Sequence, residues 1–180
     1  MNLQIFLADL FDTEKLIELQ SNSLRLLSTD YEPKEIEDLV ISEAKARLTS
    51  KEIVALAFYK DEFVGFACLD IKNSLISGLY VHPNFIRQGI GTHLLNFIDK
   101  IAQASGCKVL KVYSSLTAVN FYKTQGFEVI TELIKQARFF TKLASYFKFF
   151  TKKHYIFIPV VYLERKIIFE PNTVINSLRQ

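Results

Sequence analysis

The sequence predicts one α+β domain, and three observations carry that prediction. Segments with helical spacing alternate with short strand-like runs along the 180 residues. Three strand-like runs follow in close succession between residues 53 and 81, the first two joined by a short polar hairpin turn. No internal repeat and no linker-like stretch divides the chain, whose length suits a single sizeable core.

The elements follow in order. Leu3–Leu7 reads as a short strand. Asp12 is placed to cap a helix with Glu14 in its first turn, and Leu16, Leu19, Ser23, Leu26 and Leu27 continue at helical spacing to about Ser28. Tyr31-Glu32-Pro33 interrupts it, and Pro33 suits the first turn of a second helix that ends near Thr49. Ile36, Leu39, Val40, Ala44 and Leu48 lie on one side of that helix. Strands Ile53–Tyr59 and Phe63–Ile71 flank the turn Lys60-Asp61-Glu62, and Leu75–Val81 follows a second turn. After a loop with Pro83, Gly89 and Gly91, a helix from about Thr92 to Ser105 carries an apolar stripe of Leu94, Leu95, Ile98, Ile101 and Ala102, with Gly106 as its C-cap. Val109–Tyr113 is a strand, Leu116–Gln125 a helix and Phe127–Glu132 a strand. A last strand, Ile156–Phe169, follows an inserted segment, and Asn172–Gln180 reads as a tail.

Composition narrows the function. A chain 49% hydrophobic and 23% charged is expected to fold, and a net charge of +3 makes no electrostatic case for nucleic acid. Cys68 and Cys107 have no CxxC partners, so they read as structural thiols of a reducing compartment rather than a zinc site. His82, His93 and His154 do not group as metal ligands either. The N-terminus lacks the basic start of a signal peptide, and no apolar run approaches the roughly 20 residues of a membrane span. A cytoplasmic location is the expectation.

Chemistry concentrates after the third strand of the central trio. The run His82-Pro83-Asn84-Phe85-Ile86 leads into Arg87-Gln88-Gly89-Ile90-Gly91-Thr92 at the opening of a helix. Glycines let the backbone approach a ligand closely, and a helix start offers free N–H groups and a positive dipole end. The combination suits an anion such as phosphate, although a plain tight turn would use the same glycine pair. A dinucleotide fingerprint is excluded by the missing third glycine, and a Walker-type loop by the missing Gly-Lys-Ser/Thr. His82, beside Pro83, suits a turn-stabilising role better than that of a base.

The stretch LYVHPNFIRQGIGTHLL resembles the acyl-CoA-binding motif of the GNAT superfamily, written Q/R-x-x-G-x-G/A. A second stretch, YSSLTAVNFYKTQGFEV, resembles the later motif A-x-x-F-Y-x-x-x-G-F of the same superfamily, through Ala118, Phe121, Tyr122, Gly126 and Phe127. Both motifs occur in order, and the resemblance covers about residues 50–132. It implies a single domain over 1–180 with an α/β/α layered, mixed but mostly antiparallel sheet. About six to seven strands and about four helices would build it, with an extra helix between the last two strands.

The resemblance also implies a reaction, acetyl transfer from acetyl-CoA to a primary amine by direct attack, with no metal. Leu79, Tyr80 and Val81 would lie along the pantetheine arm, and a backbone N–H near Leu79–Tyr80 would stabilise the oxyanion. Arg87, Gln88, Gly89, Ile90, Gly91 and Thr92 would hold the pyrophosphate, with Ser115 and Ala118 also at the cofactor. Tyr122 would protonate the departing thiolate, unless it merely packs beside Phe121 and Phe127. Three departures stand out. Ile86 occupies the usual Q/R position, Ser115 stands where relatives carry Asn, and Ser77-Gly78 stand where relatives place a carboxylate base. A water chain, or Tyr80 or Glu32 acting through water, remains open for that base.

Residues 136–155, QARFFTKLASYFKFFTKKHY, replace a short turn of the relatives. On a helix, Phe139, Phe140, Leu143, Tyr146, Phe147 and Phe150 share one side, opposite Lys142, Ser145, Lys148, Lys152 and Lys153. A lid over the acceptor site, a homodimer or partner surface at 139–150, a membrane-surface helix and base stacking all fit that pattern. The acceptor would be a small-molecule or peptide amine. The competing function is a non-catalytic acyl-CoA-binding sensor that acts through the aromatic helix.

Overall fold

The computed structural model describes residues 2–8, 13–49, 52–132 and 160–168. Among them seven strands form one sheet: β1 (Leu3–Leu7), β2 (Ile53–Tyr59), β3 (Glu62–Asp70), β4 (Leu75–Val81), β5 (Val109–Ser115), β6 (Glu128–Glu132) and β7 (Val160–Lys166). The helices are α1 (Thr13–Leu27), α2 (Pro33–Thr49), α3 (Ile90–Ala104) and α4 (Val119–Thr124), with single 3-10 turns at Pro83–Phe85 and Leu116–Ala118. The strand order is β1-β2-β3-β4-β5-β7-β6. Every pairing is antiparallel except β4 with β5, so the expected mixed, mostly antiparallel sheet is the one observed.

Local chemistry explains the element ends. Lys60 and Asp61 both have positive φ, 49° and 65°, the backbone that a tight two-residue hairpin requires, and Glu62 then pairs with Tyr59. Asp70 holds the next turn by accepting from the Asn73 N–H at 3.2 Å and its side-chain amide at 2.5 Å. α3 begins at Ile90, two residues earlier than the sequence predicts, because Gly89 in the left-handed region (φ 82°) already serves as its N-cap. The expected Leu116–Gln125 helix is divided. The Leu116 N–H donates to the Tyr31 hydroxyl at 2.9 Å, the first turn tightens to 3-10, and α-helix follows from Val119. β5 extends two residues past its predicted end because Ser114 and Ser115 pair with Val161 and Val160 of β7. Residues 136–155, most of the linking segment, and the 172–180 tail lie outside the described residues.

Two apolar layers sandwich the sheet. On one face Leu94, Leu95, Ile98 and Ala102 of α3 pack against Val64, Leu69, Ile76, Leu110 and Leu163. On the other, Leu16 and Leu19 of α1 meet Leu56, Phe66 and Cys68. Each fully buried leucine or isoleucine contributes about 1.5–3 kcal/mol by leaving water, so these layers are the main source of stability.

The sheet opens in its middle. β4 and β5 pair only at Leu75↔Lys111 and Ile76↔Val112. Opposite β3, the register shifts between Cys68↔Gly78 and Leu69↔Ile76, which makes Ser77 an extra, bulged residue. A bulge bends its strand and increases the local twist, and beyond Ser77 no pairing joins β4 to β5. Among the described residues, the upper half of β4 therefore has a free edge.

Candidate active site

The loop after β4 is fixed at both ends. The His82 N–H donates to the Val64 carbonyl at 2.8 Å, and its ring nitrogen accepts from the Asn84 N–H at 3.3 Å, so His82 stabilises the turn. The exposed run Ile86–Gly89 then enters α3, with Arg87 (φ 61°) and Gly89 (φ 82°) both left-handed. Gly89 brings no capping side chain, so the first amides of α3 remain available to an anion. A Cβ at Gly91 would stand 3.4 Å from the Phe121 ring and 3.6 Å from Leu79. The absence of that carbon seats the helix start close to β4 and α4.

Strand alternation decides which backbone groups of β4 face the opening. His82 bonds to Val64, so the pairs Tyr80–Phe66 and Gly78–Cys68 are the hydrogen-bonded ones, and Leu79 and Val81 point their N–H and C=O groups to the free edge. The Tyr80 carbonyl lies 2.8 Å from where a Gly65 Cβ would stand, which confirms that it faces β3. Of the three residues the sequence placed along the pantetheine arm, Leu79 and Val81 thus present backbone to the opening, and Tyr80 turns its side chain toward Phe66 and Glu43.

α4 closes the other border. Ser115 ends β5 and Ala118 lies in the 3-10 turn before α4. Tyr122 is buried, its ring edge-on to Phe121 at 5.1 Å and to Phe127 at 5.4 Å. Burial pushes its phenol well above the ordinary range, so it stays protonated at any working pH. The α1–α2 turn bridges the gap, through Tyr31 to the Leu116 N–H and the Thr117 hydroxyl to Asp30 at 2.7 Å.

A polar cluster fills the α2 side of β4. The Tyr80 hydroxyl donates to Glu43 Oε2 at 3.2 Å. Arg47 donates to the Ser77 carbonyl at 3.1 Å and to Glu52 at 2.5 Å, and its side chain is only 3% exposed. Gly78 makes room for the Tyr80 ring, since a Cβ there would stand only 3.1 Å from it, with the Arg47 guanidinium carbon in ordinary contact at 3.8 Å. Burial raises the Glu43 carboxyl, an effect that Arg47 and the Tyr80 bond only partly offset. Burial and the neighbouring Glu43 raise Tyr80 further, and burial pushes the Cys68 thiol up to about 12 against the pull of Arg47. Burial opposes the charge on Arg47, but Cys68, Glu52, Glu43 and Tyr80 together hold it protonated.

The sequence reading missed Glu43 and Arg47. A signal was there: Ile36, Val40, Glu43 and Arg47 follow one another at helical spacing, so an acid and a base occupy positions where the apolar stripe continues. Glu32, by contrast, is exposed at the start of α2, where its N–H donates to Glu35 at 2.9 Å. Among the described residues no cluster of three His, Cys, Asp or Glu suits a metal ion. Nor is any described helix long and apolar enough to cross a membrane.

An uncapped helix start beside an unpaired strand edge defines the class of a domain suited to an extended, anionic ligand. Residues 27–140 match the acetyltransferase (GNAT) domain model, and the chain belongs to that family. It is similar to the probable N-acetyltransferase san of Drosophila melanogaster, 31% identical over 93 residues, covering 46% of this chain and 50% of that protein. The chain thus spans about half the length of that curated relative. In fold it is similar to a GCN5-related N-acetyltransferase of Rhodopseudomonas palustris, with TM-score 0.70, 21% identity and coverage of 91% of this chain and 94% of that one. It is also similar to the PaiA N-acetyltransferase of Thermoplasma acidophilum, solved with coenzyme A, with TM-score 0.63, 20% identity and coverage of 92% and 99%.

Proposed function

We propose that this chain moves an acetyl group from acetyl-CoA to a primary amine by direct attack in the opening between β4 and β5. The observation that carries the reading is the meeting of the free β4 edge with the uncapped start of α3. The amides of Gln88, Gly89, Ile90, Gly91 and Thr92, with Arg87 beside them, would hold the pyrophosphate. Leu79 and Val81 would bond the pantetheine amides, with Ser115 and Ala118 on the opposite border. Acetyl-CoA supplies the acyl group as an activated thioester. The protein positions the amine, excludes water and donates a proton from Tyr122 to the leaving sulfur. The Leu79 N–H stands at the open edge to take up negative charge as the acyl carbonyl is attacked.

The acceptor in this reading is a small-molecule or peptide amine, and the single domain acts in the cytoplasm. Two buried, unpaired thiols, Cys68 and Cys107, support a reducing compartment. Tyr122→Phe tests the chemistry. Its kcat for an amine acceptor is expected to fall by about 10²–10⁴ while acetyl-CoA affinity stays within twofold. Unchanged kcat would remove Tyr122 from the mechanism, and binding without transfer by the wild type would identify a sensor instead.

A further inference from the structure

An alkylamine reaches an enzyme as an ammonium ion at neutral pH and must lose a proton before it can attack; a lysine-type amine has a pKa of about 10.4. β4, with the sequence LISGLYV, carries no carboxylate or histidine, so the proton must go to another group. Resting on the acetyl-transfer reading, we propose that Tyr80 relays this proton to Glu43, with Tyr80 the catalytic residue and Glu43 the positioning residue and proton store behind it.

The geometry supports the relay from each packed element. Tyr80 sits on β4 one residue beyond Leu79, whose N–H faces the opening, and its hydroxyl already donates to Glu43 Oε2 at 3.2 Å. In the step, an ammonium N–H bond breaks and its proton bonds to Tyr80 Oη, while the Tyr80 proton passes to Glu43 Oε2. The amine becomes neutral, the carboxylate becomes a carboxylic acid, and no net charge is created; the acid later releases its proton to water. The other groups facing this pair are unsuited to accept the proton. Arg47 of α2 is a permanent cation bonded to Glu52 at 2.5 Å. The Cys68 thiol of β3 stays neutral at physiological pH. Tyr122 of α4 is a protonated donor, and Tyr80 alone cannot persist as a phenolate. Gly78 leaves space for the Tyr80 ring, and the bulged Ser77 carbonyl accepts from Arg47 at 3.1 Å, which holds that positive charge on the α2 side of β4.

The relay also defines the substrate class: amines basic enough to arrive protonated need Glu43, and amines already neutral do not. The first measurement requires no acceptor. Carboxyl NMR of the free protein should show Glu43 titrating above the ordinary value of about 4.3, and higher still in Tyr80→Phe, where the phenol no longer bonds the carboxylate. The second is the pH profile of kcat/KM with an alkylamine. Glu43→Gln should lower it by roughly 10²-fold at pH 7 and abolish the wild-type acid limb, with hydroxylamine acetylation much less affected and the KM for acetyl-CoA unchanged. Glu43→Asp should restore part of the acid limb. Ordinary titration of Glu43 that ignores Tyr80→Phe, or an acid limb that survives Glu43→Gln, would overturn the relay. Wild type that binds acetyl-CoA yet acetylates no amine would defeat the transfer reading and the relay with it, whereas amine transfer with an ordinary Glu43 titration would overturn the relay alone.

Discussion

The two faces of β4 are built on opposite principles. Toward α3 the strand presents Ile76 and Leu79 to a dry layer of Leu94, Leu95 and Ile98. Toward α2 it presents Gly78 and Tyr80 to Glu43 and Arg47, with the Nε of Arg47 and the hydroxyl of Ser77 buried and without a hydrogen-bond partner among the described residues. Apolar packing is cheap to specify and stabilises in proportion to area. A buried polar cluster does neither, because desolvation offsets much of the attraction between its charges. One face of the strand holds the domain together, and the other buries a polar cluster at some cost in stability.

The sharpest break in this contrast is Arg47→Leu. It strands Glu43 and Glu52 without their cation and frees the bulge carbonyl of Ser77, so urea unfolding should show a loss of about 3–5 kcal/mol. Transfer activity should fall with it, because the opening loses the cation that steadies its α2 wall. Leu95→Ala, on the dry face, should lose about 2–5 kcal/mol by the same measurement, yet leave acetyl-CoA affinity and the pH profile unchanged. A Leu95 variant with an altered pH profile would mean that the faces are not separable.

A smaller effect sharpens the comparison through pH. The folded protein holds Glu43 above its unfolded value, so in the window between the two values the folded state binds more protons. Its contribution to stability is therefore complete below the unfolded value and is lost as pH rises through the folded one. The neutral Glu43→Gln variant lacks this dependence, and its stability relative to wild type should improve as pH rises across that window. Thermal melts at paired pH values read the slope, and a wild-type advantage that grows with pH would contradict it.

How much of this was legible in the sequence depended on whether the signal was local. β4 shows its predicted bounds because its turns and periodicity are local, and the Gly89 region stood out because a helix start with glycines is a short pattern. α3 began early and β5 ended late for different reasons. Gly89 supplied a cap that propensity does not reveal, whereas Ser115 was held by Val160, 45 residues away in the chain by their numbers. Ile86, at the Q/R position of the loop, is exposed. Glu43 escaped notice because its bond from Tyr80 exists only where α2 crosses β4. A helix written out alone shows an interrupted stripe, not the tyrosine it meets.

The central claim is that the opening between β4 and β5 is an acetyl-CoA site, and calorimetry of acetyl-CoA binding to wild type and Gly89→Glu tests it most directly. The substitution forces a side chain onto φ 82° and places negative charge at the anion-binding turn. Micromolar binding by the wild type, weakened at least about 100-fold in the variant, is the expected result, equivalent to some 2.7 kcal/mol. No binding by the folded wild type, or equal binding by both proteins, would contradict it.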